Sequence, residues 1–92
     1  MSTAAHAELT YRHYALLRAV AAGRCHLTCS CEPDLYIDGR SCCDQQASHL
    51  LVYAGLIVQA TAGGIGQLVP ARLTDAGDIV LSLVDSPRAQ AA

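Results

Sequence analysis

The sequence predicts an α+β fold, helices around a small antiparallel sheet that ends in a glycine-tipped hairpin. Three observations predict it. Segments 8–22 and 41–53 contain neither Gly nor Pro and space their apolar residues as helices do. Residues 24–31 alternate with the period of a strand. Segments 56–61 and 67–73 are apolar runs separated by Ala62-Gly63-Gly64-Ile65-Gly66, expected as a flexible turn, the pattern of a hairpin.

The first helix buries Leu9, His13, Leu16, Leu17 and Val20, which recur at i, i+3 and i+4. Thr10 is placed to cap it, and Gly23 to end it in a left-handed conformation. In the strand that follows, Cys25, Leu27, Cys29 and Cys31 share one face. Residues 32–38 fit two readings: a short helix with Pro33 in its first turn and Gly39 past its end, or a strand through Leu35-Tyr36-Ile37. The second helix, 41–53, turns Ala47, Leu50, Leu51 and Ala54 inward and ends at Gly55. In the hairpin, Pro70 cannot donate a ladder hydrogen bond, so its strand is expected at an edge. Thr74 caps a last helix over 75–84, apolar on more than one side.

With 92 residues the chain has room for one small domain, expected over 8–85, with 1–7 and 86–92 as flexible tails, the second opened by Pro87. Apolar residues make up 52% of it and charged residues 15%, which excludes a disordered chain. No apolar run is long enough for a membrane helix, and residues 1–8 lack the pattern of a signal peptide, so a cytoplasmic protein without membrane contact is expected. All six cations are arginines and the formal net charge is -2, which excludes diffuse polyelectrolyte binding to nucleic acid. The lysine-free, alanine-rich composition fits a high-GC genome, such as that of an actinobacterium or its phage.

Two strings carry a resemblance. Leu51-Val52-Tyr53-Ala54-Gly55-Leu56-Ile57 resembles the exit of a recognition helix into a wing, and Leu73-Thr74-Asp75-Ala76-Gly77 resembles the start of the helix after the wing. With an apolar hairpin between them, the chain resembles winged helix-turn-helix regulators of the multiple-antibiotic-resistance (MarR-like) type over most of its length. The resemblance implies a DNA-binding transcriptional regulator, homodimeric, with a recognition helix at about 41–53 and a wing at 57–73. Arg40 and Arg72 would hold phosphates of double-stranded DNA, while Gln45, Gln46, Ser48 and His49 would read base edges. Ile79, Val80, Leu83 and Val84 are the candidate dimer or partner contacts. Two departures stand out: the outer face of the expected recognition helix carries no Arg or Lys, and the segment 61–67 at the wing tip carries no charge.

Those departures motivate an alternative: a winged-helix protein-interaction module, an adaptor or a phage or host regulator, contacting a partner through Val52, Tyr53 and Ile65. A second alternative uses the thiols. Five cysteines cannot all pair within the chain. Cys29, Cys31, Cys42 and Cys43, with His49, are the ligands available to a zinc ion, although no C-x2-C knuckle is present. Cys42 and Cys43, at the expected start of the second helix, are equally candidates for redox sensing. Otherwise no cofactor is indicated. Catalysis is not expected: the glycine-rich loop lacks the Lys-Ser/Thr of a phosphate-binding loop, and the eight carboxylates are scattered.

Overall fold

The computed structural model describes residues 9–91. In chain order they form α1 (Tyr11–Ala21), β1 (Cys25–Thr28), β2 (Leu35–Ile37), β3 (Arg40–Ser41), α2 (Gln45–Tyr53), β4 (Ile57–Gln59), β5 (Leu68–Leu73) and α3 (Asp75–Ala91). The fold is α+β: three helices and a five-stranded antiparallel sheet in the order β3-β2-β1-β5-β4.

Both internal helices end in Schellman motifs. After α1, Gly23 takes φ +80°, its N–H bonds the Val20 carbonyl, and the Arg24 N–H bonds the Ala19 carbonyl. After α2, Gly55 takes φ +77°, its N–H bonds Val52, and the Leu56 N–H bonds Leu51. The expected stripe of α1 is buried from His13 to Val20, and Leu17 is fully enclosed with Leu27, Leu35, Leu51 and Ile57.

The ambiguity over 32–38 resolves as strand. Asp38 and Gly39 both have positive φ, 54° and 84°, and form a two-residue turn that joins β2 to β3. A single hairpin therefore occupies the stretch between β1 and α2, where a helix-turn-helix would have its first helix.

Four further expectations are corrected. The second helix starts at Gln45, not at 41, because Arg40 and Ser41 pair with Ile37 and Tyr36. The strand holding Pro70 is interior, between β1 and β4. The Pro70 carbonyl accepts from the Ala60 N–H, so the donorless nitrogen also faces that side, one residue past the end of β4, and β1 loses no bond. The glycine-rich tip is tied down: the Gly66 N–H donates to the Cys29 carbonyl and the Gly64 N–H to the Gln67 side chain. Finally, α3 continues past Val84 to Ala91, through the 86–91 stretch expected as tail. Pro87 removes one helical hydrogen bond, and Ala89, Gln90 and Ala91 are good helix formers. Residues 1–7, the other expected tail, lie outside the described residues.

Candidate interaction face

The four α2 residues expected to read bases divide into two pairs. Gln45 and Ser48 face inward. The Cys42 N–H still donates to the Leu35 carbonyl at 2.9 Å, and the Gln45 amide extends that ladder: Oε1 accepts from the Leu35 N–H at 2.9 Å, while Nε2 donates to the Leu35 and Cys42 carbonyls, both at 2.9 Å. Ser48 is fully buried, its hydroxyl 2.9 Å from the Gln45 carbonyl and 3.0 Å from Gln45 Oε1. The assignment of Gln45 and Ser48 to an exposed reading face is therefore corrected: the edge of β2 draws one amide inward, and that amide draws in the hydroxyl.

Gln46 and His49 do reach the outer face. His49 is held by two carboxylates from the 29–34 loop: Nε2 lies 2.9 Å from Asp34 Oδ1, and Nδ1 lies 3.6 Å from Glu32 Oε2. The Glu32 and Asp34 side chains remain 77% and 52% exposed, so negative charge stands beside the helix where a phosphate backbone would have to approach.

Between this loop and α2 runs a groove of about 540 Å³, with Cys31, Pro33, Leu50, Val52 and Tyr53 as its apolar lining and Glu32 at its margin. Tyr53 is 96% exposed. A second, more polar concavity of about 650 Å³ adjoins it through Gln46 and Leu50 and includes Tyr11 and the Arg12–Asp44 ion pair. Asp44 caps α2 by accepting from the Ala47 N–H at 3.0 Å, and Arg12 donates to its other oxygen at 2.7 Å. Both interactions hold the Asp44 carboxyl below the ordinary aspartate range, the Arg12 hydrogen bond first.

The arginines assigned to phosphates stand apart. Arg40 is exposed on β3, at one edge of the sheet. Arg72 is exposed on β5, three strand spacings or roughly 14 Å away. Its guanidinium donates to the Leu73 carbonyl. Arg12 and Arg24 are engaged by Asp44 and Asp38, each at 2.7 Å.

No protein-family model, curated protein or solved structure matches this chain.

The thiols do not converge. Among the described residues no group of three or more His, Cys, Asp and Glu side chains is placed to hold a metal ion, which corrects the candidate zinc set of Cys29, Cys31, Cys42 and Cys43. Each leaves from a different point of a loop: Cys31 and Cys43 are exposed, Cys29 and Cys42 half-buried. Cys25 is buried, and burial pushes its thiol up to about 11.

Of the candidate dimer contacts, Ile79 and Leu83 are 60% and 68% exposed. Val80 and Val84 are half-buried and, with Leu9, Tyr14, Ala54 and Leu56, line a shallow apolar cleft of about 250 Å³ that Leu83 also borders. Of the alternative contact set, Val52 and Tyr53 stand together on the groove, while Ile65 projects from the hairpin tip at 98% exposure. The sequence reading missed Glu32, Pro33 and Asp34 as neighbours of α2. Their acid-Pro-acid pattern is visible in the chain, but only the β1–β2 hairpin brings it to the helix.

Proposed function

We propose that this protein is an interaction module that contacts a partner protein through the outer face of α2 and the 29–34 loop. The observation that carries the reading is the composition of that face. Tyr53 is offered to solvent beside a half-buried Val52, and the nearest charges to His49 are the carboxylates of Glu32 and Asp34. An apolar patch rimmed by acids suits a polypeptide and repels a phosphate backbone. The strand order β1-β5-β4 beside α1, α2 and α3 supports a winged-helix variant in which a β-hairpin stands in place of the first helix of the helix-turn-helix.

Fluorescence anisotropy of a random-sequence duplex tests the reading at about 50 mM and about 200 mM salt. The module is expected to leave the duplex free at tens of micromolar protein. Micromolar binding at low salt that collapses at high salt would overturn the proposal. In parallel, crosslinking in native lysate is expected to give an adduct that Val52→Asp removes.

A DNA-binding regulator is the second reading, favoured by the exposure of Arg40 and Arg72 on the sheet. In it, a homodimer formed through Ile79 and Leu83 would double the few available phosphate contacts.

A further inference from the structure

We infer that the groove between α2 and the 29–34 loop takes an apolar polypeptide segment that carries an arginine or lysine. The inference rests on the interaction reading above and names the chemistry of the partner.

The groove supplies two kinds of contact side by side. Its walls are Cys31, Pro33, Leu50, Val52 and Tyr53, and its volume of about 540 Å³ is room for a few side chains rather than for a folded surface. Tyr53 and Pro33 are rigid and lose little entropy on contact. On the loop side Glu32 lines the groove, and Asp34 stands just outside it. Asp34 gives one oxygen to His49 at 2.9 Å, and its side chain is still half exposed. Glu32 lies 3.6 Å from the other ring nitrogen and is more exposed still. The protein's own nearby guanidinium, Arg12, is engaged by Asp44. A cation brought in by a ligand would therefore meet the accessible Glu32 carboxylate in the groove, with that of Asp34 next to it on the loop, while the apolar residues beside it cover Val52 and Tyr53. An acidic or phosphorylated segment would meet the same carboxylates as repulsion. Charge complementarity thus selects a cationic apolar segment over the other polypeptides the groove can hold.

The test is selection of a displayed random-peptide library on the full chain. Selected peptides are then measured against the wild type, the double variant Glu32→Gln/Asp34→Asn and Val52→Asp. The isosteric amides keep the size and polarity of the loop. Selected peptides are expected to combine Arg or Lys with large apolar residues and to shift the amide resonances of Cys31, Glu32, Asp34 and the 46–53 stretch. They are expected to bind the double variant about fivefold more weakly at low salt, with the difference shrinking as salt is added. Peptides without a cationic bias, peptides that bind the double variant as well as the wild type, or shifts elsewhere on the surface would overturn the inference and leave the interaction reading standing. Concentration-dependent shifts of the same amides in the protein alone would assign the groove to a second copy and also overturn it. Failure to enrich any peptide, together with salt-sensitive binding to the duplex, would overturn both.

Discussion

The Thr74 hydroxyl donates to the Gly55 carbonyl at 2.5 Å and accepts from the Gly77 N–H at 3.1 Å. The Thr74 N–H bonds the Leu56 carbonyl at 3.0 Å. One residue thus caps α3 and pins its start to the end of α2. The segments 51–57 and 73–77 are separated in sequence by the hairpin and are stitched together in space.

Thr74→Ala removes the cap and leaves the Gly55 carbonyl without that donor. It is expected to destabilise the protein by about 1–2 kcal/mol. Thr74→Ser, which keeps the hydroxyl, is expected to recover most of that. Urea denaturation of the three proteins is the measurement, with equal midpoints for all three counting against the role assigned to the hydroxyl.

Gly77→Ala is expected to cost more, about 3 kcal/mol or above. A Cβ at Gly77 would lie 2.0 Å from the Leu56 carbonyl oxygen, and backbone cannot yield as a side chain can. Gly64, whose added Cβ would meet only the far end of Gln67 at 3.8 Å, is the control. Thermal melts of Gly77→Ala and Gly64→Ala are expected to separate clearly, and matching melts would refute the close-approach argument.

Gln45 and Gln46 separate a structural amide from a surface amide. Gln45→Ala strips three hydrogen bonds from the Leu35 and Cys42 backbone and is expected to cost about 1–3 kcal/mol. Gln46→Ala is expected to stay within about 0.5 kcal/mol of wild type. Hydrogen exchange at the Leu35 amide gives the local readout, accelerated only in the Gln45 variant.

Asp44 gives the fold an acid-sensitive link between α1 and α2. Its folded pKa lies below the ordinary value of 3.8, so its contribution is complete above that value and is lost as pH falls through the folded pKa. Asp44→Asn keeps a capping oxygen but cannot titrate or pair with Arg12. The stability gap between wild type and Asp44→Asn is expected to be constant above about pH 5 and to narrow below it. A gap that stays constant down to about pH 2 would show that the Arg12–Asp44 pair is not linked to folding.

The cysteines are expected to react in order of exposure. A maleimide pulse on the folded protein should label Cys31 and Cys43 first, then Cys29 and Cys42, and leave Cys25 intact until the chain unfolds. Mass spectrometry of the digested protein reads the order. Early labelling of Cys25, whose thiol burial raises, would mean that the sheet around it opens.

Much of the architecture was legible because its determinants are local. Gly23 and Gly55 mark helix ends because they take positive φ, which side chains disfavour, and Thr10, Thr74 and the apolar spacing of α1 mark starts and faces. Asp38-Gly39 is a local signal too: after the apolar run Leu35-Tyr36-Ile37 this pair favours a hairpin turn, and with it the strand at 35–37. Pro87 misled because a proline usually marks a helix end, and α3 passes through it.

The chain by itself determined where α1 and α2 stop, which residues of α1 face inward, and that the molecule would be acidic, apolar and lysine-free. It could not determine which polar side chains of α2 belong to the outside. That depended on Leu35, a residue of another element, having an N–H without a backbone partner, which Gln45 then satisfied, Ser48 packing against the same amide. Nor could it place Pro70 inside the sheet or bring Glu32 and Asp34 to His49. Helical period, caps and turns depend on neighbours a few residues away. The hydrogen-bond partners of a buried edge and the charges around a groove are set by segments that meet only when the chain has folded.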